Sequence, residues 1–135
     1  MSVESAKRPL SITVLAIVLL LFGIFAFAGS LFLWGQGFVL QAPEGVDVAF
    51  PITDILVNAP ASILAAVGLW TLRRFGYLAS CFVAGFYIYA SVYIFAEVIT
   101  GGPPHPVEIV IPQVLAVLAA VALLIFPARH RAHFR

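Results

Sequence analysis

The sequence predicts an all-α integral membrane protein, a single membrane domain over residues 1–135 built as an up-down bundle of four transmembrane helices. Composition is the first observation behind this: 63% of the 135 residues are hydrophobic and only 10% are charged. A soluble domain is about half apolar and about a quarter charged. The second is that the apolar residues fall into four stretches, each long enough to cross the roughly 30 Å hydrocarbon core as a helix. The third is the placement of the seven lysines and arginines, which the four spans put on one side.

The first span covers residues 10–34, behind Lys7 and Arg8. Ala26-Phe27-Ala28 looks like a signal-peptidase site, but the apolar run is too long for a signal peptide and is expected to remain as a span. The loop that follows carries Gly35, Gly37, Pro43, Gly45 and the acidic Glu44 and Asp47. Pro51, a favoured first-turn residue, opens the second span over 52–72. Arg73-Arg74 allows only a tight turn, so the second and third helices are antiparallel neighbours. The third span covers 75–99 and stops before Gly101-Gly102-Pro103-Pro104; the fourth covers 107–126 and ends at Pro127. Arg129, Arg131 and Arg135 follow it, and the positive-inside rule then places both termini in the cytoplasm.

Small residues recur at helical spacing and mark the faces that meet, because helices in lipid associate through close approach. They are Gly23, Ala26 and Ser30; Ala61, Ala65 and Gly68; Gly76, Ser80 and Ala84; and Ala116 with Ala120. The third span also carries a bulky stripe of Phe82, Phe86, Tyr89 and Tyr93. That stripe is expected to look outward, to lipid, pigment or a partner.

Few residues point to chemistry. Asp54 and Asn58, four apart, share a face of the second helix; they either line an outward-facing polar cavity or serve the helix start and a neighbouring helix. Glu108 has a similar first-turn position on the fourth helix, where Gln113 is expected to donate an interhelical hydrogen bond. Glu97 lies at a helix C-terminus, where the dipole disfavours an anion, one turn beyond Tyr93. It either snorkels to the interface or belongs to an ion, proton or ligand site. Glu97, His105 and Glu108 match no metal-ligand spacing, and no metal is expected. Cys81, alone, forms no intramolecular disulfide or CxxC pair. The spans hold neither histidine nor lysine, so no haem ligated by histidine and no retinal-type Schiff base is expected; there is also no P-loop or Gly-rich nucleotide fingerprint, and no cofactor is expected. The basic tail reads as a topology anchor with affinity for anionic lipid, and no nucleic-acid site is expected.

The segment Gly68-Leu69-Trp70-Thr71-Leu72-Arg73-Arg74-Phe75-Gly76-Tyr77 resembles a turn that recurs in small, functionally uncharacterised four-helix prokaryotic membrane proteins. Lys7-Arg8-Pro9-Leu10 before the first span is similar to their opening. The resemblance implies the four-helix fold and an inner-membrane address, and brings no catalytic residues. Small multidrug transporters have the same size but centre on a glutamate in the first helix, which is missing here. The expected function is therefore non-enzymatic: an accessory or structural subunit that packs against other membrane proteins within the lipid. The expected partners are membrane lipids and another membrane protein, or else further copies of the chain in a homo-oligomer, which would favour the alternative below. The alternative is an outward-facing small transporter or cation-binding protein that uses Asp54, Glu97 and Glu108.

Overall fold

The computed structural model describes residues 8–37, 49–101 and 107–135, apart from the side chains of 49, 50 and 107–109. All regular structure among them is helical. Helix α1 is Leu10–Gly35. Helix α2 is composite: Ala49–Thr53, a π-helical turn Asp54–Asn58, and Ala59–Trp70. Helix α3 is Arg74–Thr100, and α4 is Val107–Arg129, followed by a 3₁₀ turn Arg131–His133. Each of the four contains a stretch long and apolar enough to cross a membrane.

Neighbours in sequence are neighbours in space. Helix α1 packs on α2, α2 on α3 and α3 on α4, while α1 meets α4 more lightly. Side-chain contacts show that adjacent helices run antiparallel. The guanidinium of Arg8, before α1, lies over the ring of Trp70 at the end of α2. Ser62 of α2 meets Tyr87 of α3, and Ser91 of α3 meets Gln113 of α4. The Leu72–Arg74 turn and Arg135 are joined backbone to backbone, so Arg8, Arg73, Arg74 and Arg135 gather at one end of the bundle.

The small residues sit where close approach requires them. Gly23, Ala26, Ser30, Ala65, Gly68, Gly76, Ser80, Ala84 and Ala120 are all buried, and Ala61 and Ala116 are half-buried. Gly68 and Gly76 bring the backbones of α2 and α3 into direct contact. Around this seam Ile12, Leu19, Leu69, Val83 and Leu123 fill the core toward the basic end. Phe22 of α1 and Tyr87 of α3 close it above, with ring centroids 5.8 Å apart.

Three boundaries differ from the sequence reading by two or three residues; the first is the start of α2, at Ala49 rather than at residue 52. Helix α2 stops at Trp70 rather than at residue 72, in a paired C-terminal hydrogen-bond motif: Leu72 N–H to the Leu69 carbonyl at 3.2 Å and Arg73 N–H to the Gly68 carbonyl at 2.9 Å. That motif needs one left-handed residue, and Leu72 supplies it with φ 53°, a conformation costing a non-glycine residue about 1–2 kcal/mol. Its side chain packs on the core and its carbonyl accepts the Arg135 N–H, two contacts that hold it there. Helix α4 runs through Pro127 to Arg129 instead of ending at residue 126. Pro127 leaves the Leu123 carbonyl without its usual donor and crowds it with its ring, but helical pairing resumes beyond it, where the His130 N–H donates to the Phe126 carbonyl at 3.1 Å.

Candidate functional site

At the end of the bundle opposite the arginines, polar side chains form a connected chain. Asn58 Nδ2 donates to Asp54 Oδ1 at 2.8 Å, and Ser62 Oγ donates to Asn58 Oδ1 at 3.1 Å. Ser62 Oγ also lies 2.9 Å from the hydroxyl of Tyr87. A serine has one proton to give. With that proton on Asn58, Tyr87 must donate to Ser62, and every donor in the row then points toward the Asp54 carboxylate. Ser30 of α1 hydrogen-bonds the same carboxylate. The chain thus ties α1, α2 and α3 together, and aligned hydrogen bonds of this kind polarise one another.

The local sequence explains the shape of α2 here. Pro60 has no N–H, and in a regular helix its ring would collide with the carbonyl of Leu56. The preceding turn is widened, with the Ala59 N–H reaching back five residues to the Asp54 carbonyl. Asp54, Asn58 and Ser62 nevertheless stay on one face. Asp54 is half-buried in this widened turn, one turn inside a helix that starts at Ala49, so it does not sit in the first turn that a simple dipole role requires. Asn58 bonds Asp54 and Ser62 of its own helix; it is Ser62, the next residue along that face, that crosses to α3.

A second interhelical bond lies nearby. Ser91 Oγ of α3 is 3.1 Å from Gln113 Oε1 and 3.2 Å from the Gln113 backbone carbonyl of α4. Gln113 therefore accepts from Ser91, where the sequence suggested that it donates. Such interhelical bonds contribute about 0.6 kcal/mol on average and up to about 1.7 kcal/mol.

Glu97 and Tyr93 lie on α3 toward the same end as Asp54, and both are engaged with neighbours. The Gly101 N–H caps the Glu97 backbone carbonyl, with Gly101 in the left-handed conformation that ends α3. Glu108 is a residue of α4 whose side chain, with Glu44, Asp47 and His105, lies outside the described residues. The structure brings Asp54 and Asn58 together and adds Ser30, Ser62 and Tyr87 to them. In the bulky stripe of α3, Phe82 and Tyr89 are 57% and 70% exposed. Phe86, by contrast, is half-buried against the core, and Tyr87 beside it faces fully inward.

Ser62 and Tyr87 are the members that sequence reasoning missed. Asp54, Asn58 and Ser62 repeat every four residues, so continuing the first pair by one step reaches Ser62. Tyr87 extends the buried face of Gly76, Ser80 and Ala84, with Ser91 following at the same spacing. Compared with protein-family models, with curated proteins and with solved structures, the chain matches none.

Proposed function

We propose that the chain is a multi-pass protein of a prokaryotic inner membrane, with both termini cytoplasmic, and that it serves as a non-enzymatic accessory subunit packing against other membrane proteins. The observation that carries this reading is the uneven burial of the helices. In α4 only 17% of the apolar stretch is buried within the bundle, against 33% in each of the other three. Helix α4 and the exposed side of α3 thus offer a broad apolar face to a partner. The gathering of arginines at one end supports the orientation. The core of Leu19, Leu69, Val83 and Leu123 toward that end fits a packed scaffold better than a through-path.

Photo-crosslinkers at Leu118 and Tyr89 in native membranes test it. The expected result is capture of one protein at both positions, the same one that co-purifies at fixed stoichiometry after gentle extraction. Capture of nothing but lipid and copies of this chain would defeat the subunit reading.

A second reading has its own support in the carboxylate of Asp54, which receives donors from Asn58 and Ser30 at the head of an aligned chain. An ionisable group in a span is a candidate proton or cation site. If Asp54 is one, sodium or potassium should raise the melting temperature of the wild type but not of Asp54→Asn, which nearly keeps the shape. The same assay on Glu97→Gln examines the other carboxylate at that end. A melting temperature indifferent to both ions in the wild type removes the cation case.

A further inference from the structure

On the outer surface between α1 and α2, toward the basic end, lies an apolar groove of about 130 Å³. Two buried alanines, Ala16 and Ala66, form its floor, and the half-exposed Ile17, Leu20, Val67 and Trp70 form its walls. Paired alanines leave a furrow because neither helix puts a large side chain at the crossing. The groove has a charged mouth. Arg8 places its guanidinium 4.0 Å from the centre of the Trp70 ring, a cation–π contact that holds the positive charge at one end of the furrow. The Arg8 Nε has no hydrogen-bond partner among the described residues.

Dimensions set the depth of this arrangement. The apolar part of α2 that ends at Trp70 is 20 residues long, so it spans about 30 Å at 1.5 Å per residue. That is about the thickness of the hydrocarbon core, and it puts Trp70 at the level of the headgroups, where tryptophan is enriched. The groove then runs from the headgroup level toward the middle of the bilayer, apolar along its length and cationic at its mouth. A phospholipid has the same polarity profile, with an acyl chain below and a phosphate above. Arg73 and Arg74, exposed at the same end, add to the positive potential there.

We propose that this groove binds one anionic phospholipid of the cytoplasmic leaflet, with an acyl chain between α1 and α2 and the phosphate on Arg8. The inference rests on the membrane reading above and goes beyond it by giving the lipid a fixed seat.

Brominated-lipid quenching tests it. The chain has two tryptophans, so Trp34→Phe leaves Trp70 as the only emitter. The protein is reconstituted in phosphatidylcholine vesicles holding a minor fraction of phosphatidylglycerol or phosphatidylcholine with dibrominated acyl chains. Brominated phosphatidylglycerol should quench Trp70 as though about fivefold enriched beside it, the ratio that about 1 kcal/mol for one interfacial arginine gives. Arg8→Gln should remove most of the preference, leaving only the weaker pull of Arg73 and Arg74, and Arg8→Lys, which keeps the charge, should retain it. Equal quenching in the Arg8 protein, or a preference undiminished in Arg8→Gln, overturns the site. So does a preference lost equally in Arg8→Lys. Quenching by neither lipid overturns the membrane reading and the site with it.

Discussion

Gly76→Val will prevent the bundle from assembling, and Gly68→Ala will lower its stability by about 1–3 kcal/mol or more, the range for overpacking a tight interior. A Cβ on either glycine runs into the backbone of the other. A flexible side chain could swing away from such a clash, but a backbone cannot. The helices would have to separate, and the three-residue turn 71–73 that joins them directly below is too short to let them. Gly29 and Gly85 supply the control. Nothing lies within 4 Å of a Cβ at either position, so alanine there meets open space. Those substitutions should be neutral, or stabilising by up to about 1 kcal/mol from helix propensity. Thermal unfolding of the four variants in one detergent checks the contrast. Equal melting temperatures for Gly68→Ala and Gly85→Ala would show that the α2–α3 seam is not packed on its glycines.

That contrast also shows what was legible in the residues. Gly68 and Gly76 belong to rows of small residues at helical spacing, Gly29 and Gly85 do not, and the structure buries the rows. Periodicity translates into a face because a helix has a fixed rise and turn. The four helices were readable as four long apolar stretches, because the Gly, Pro and charged residues between them interrupt both the apolar runs and the helices. The polar chain was only half readable. Asp54 and Asn58 stand out by charge and spacing, whereas Ser62 hides among alanines and Tyr87 among aromatics. A bulky residue on a face of small ones contradicts the close-approach rule. Tyr87 is accommodated because its ring tilts against Phe22 and its hydroxyl finds Ser62, partners on two other helices. No local pattern encodes which residue of a distant helix will be opposite. The widened turn before Pro60 is a similar case, because proline announces a disturbance but not its form.

The end of the chain gives the second large effect: Phe134→Ala should cost about 2–4 kcal/mol, below the full range for a core phenylalanine because the site lies at the end of the bundle. Phe134 is 7% exposed and joins the core, with its ring 6.1 Å from that of Tyr77. Arg131 approaches the Tyr77 ring as well, its guanidinium carbon 5.8 Å from the ring centre. Anchored by this ring, the next residue bridges two helix ends. The Arg135 N–H donates to the Leu72 carbonyl at 2.9 Å, and the Arg135 carbonyl accepts from the Arg74 N–H at 3.0 Å. Arg74 opens α3, so its N–H is one of the first-turn donors that a helix cannot satisfy internally. Leu72 is the strained left-handed residue, and the tail helps to hold it there. Removing the ring should therefore release the tail and loosen the turn together. Amide hydrogen exchange is expected to accelerate at residues 72, 74 and 135 in Phe134→Ala, while residues 80–91 in the middle of α3 keep their protection. Unchanged exchange at residues 72 and 74 would mean that the turn holds its conformation without the tail, and that Leu72 is stabilised by its own core packing alone.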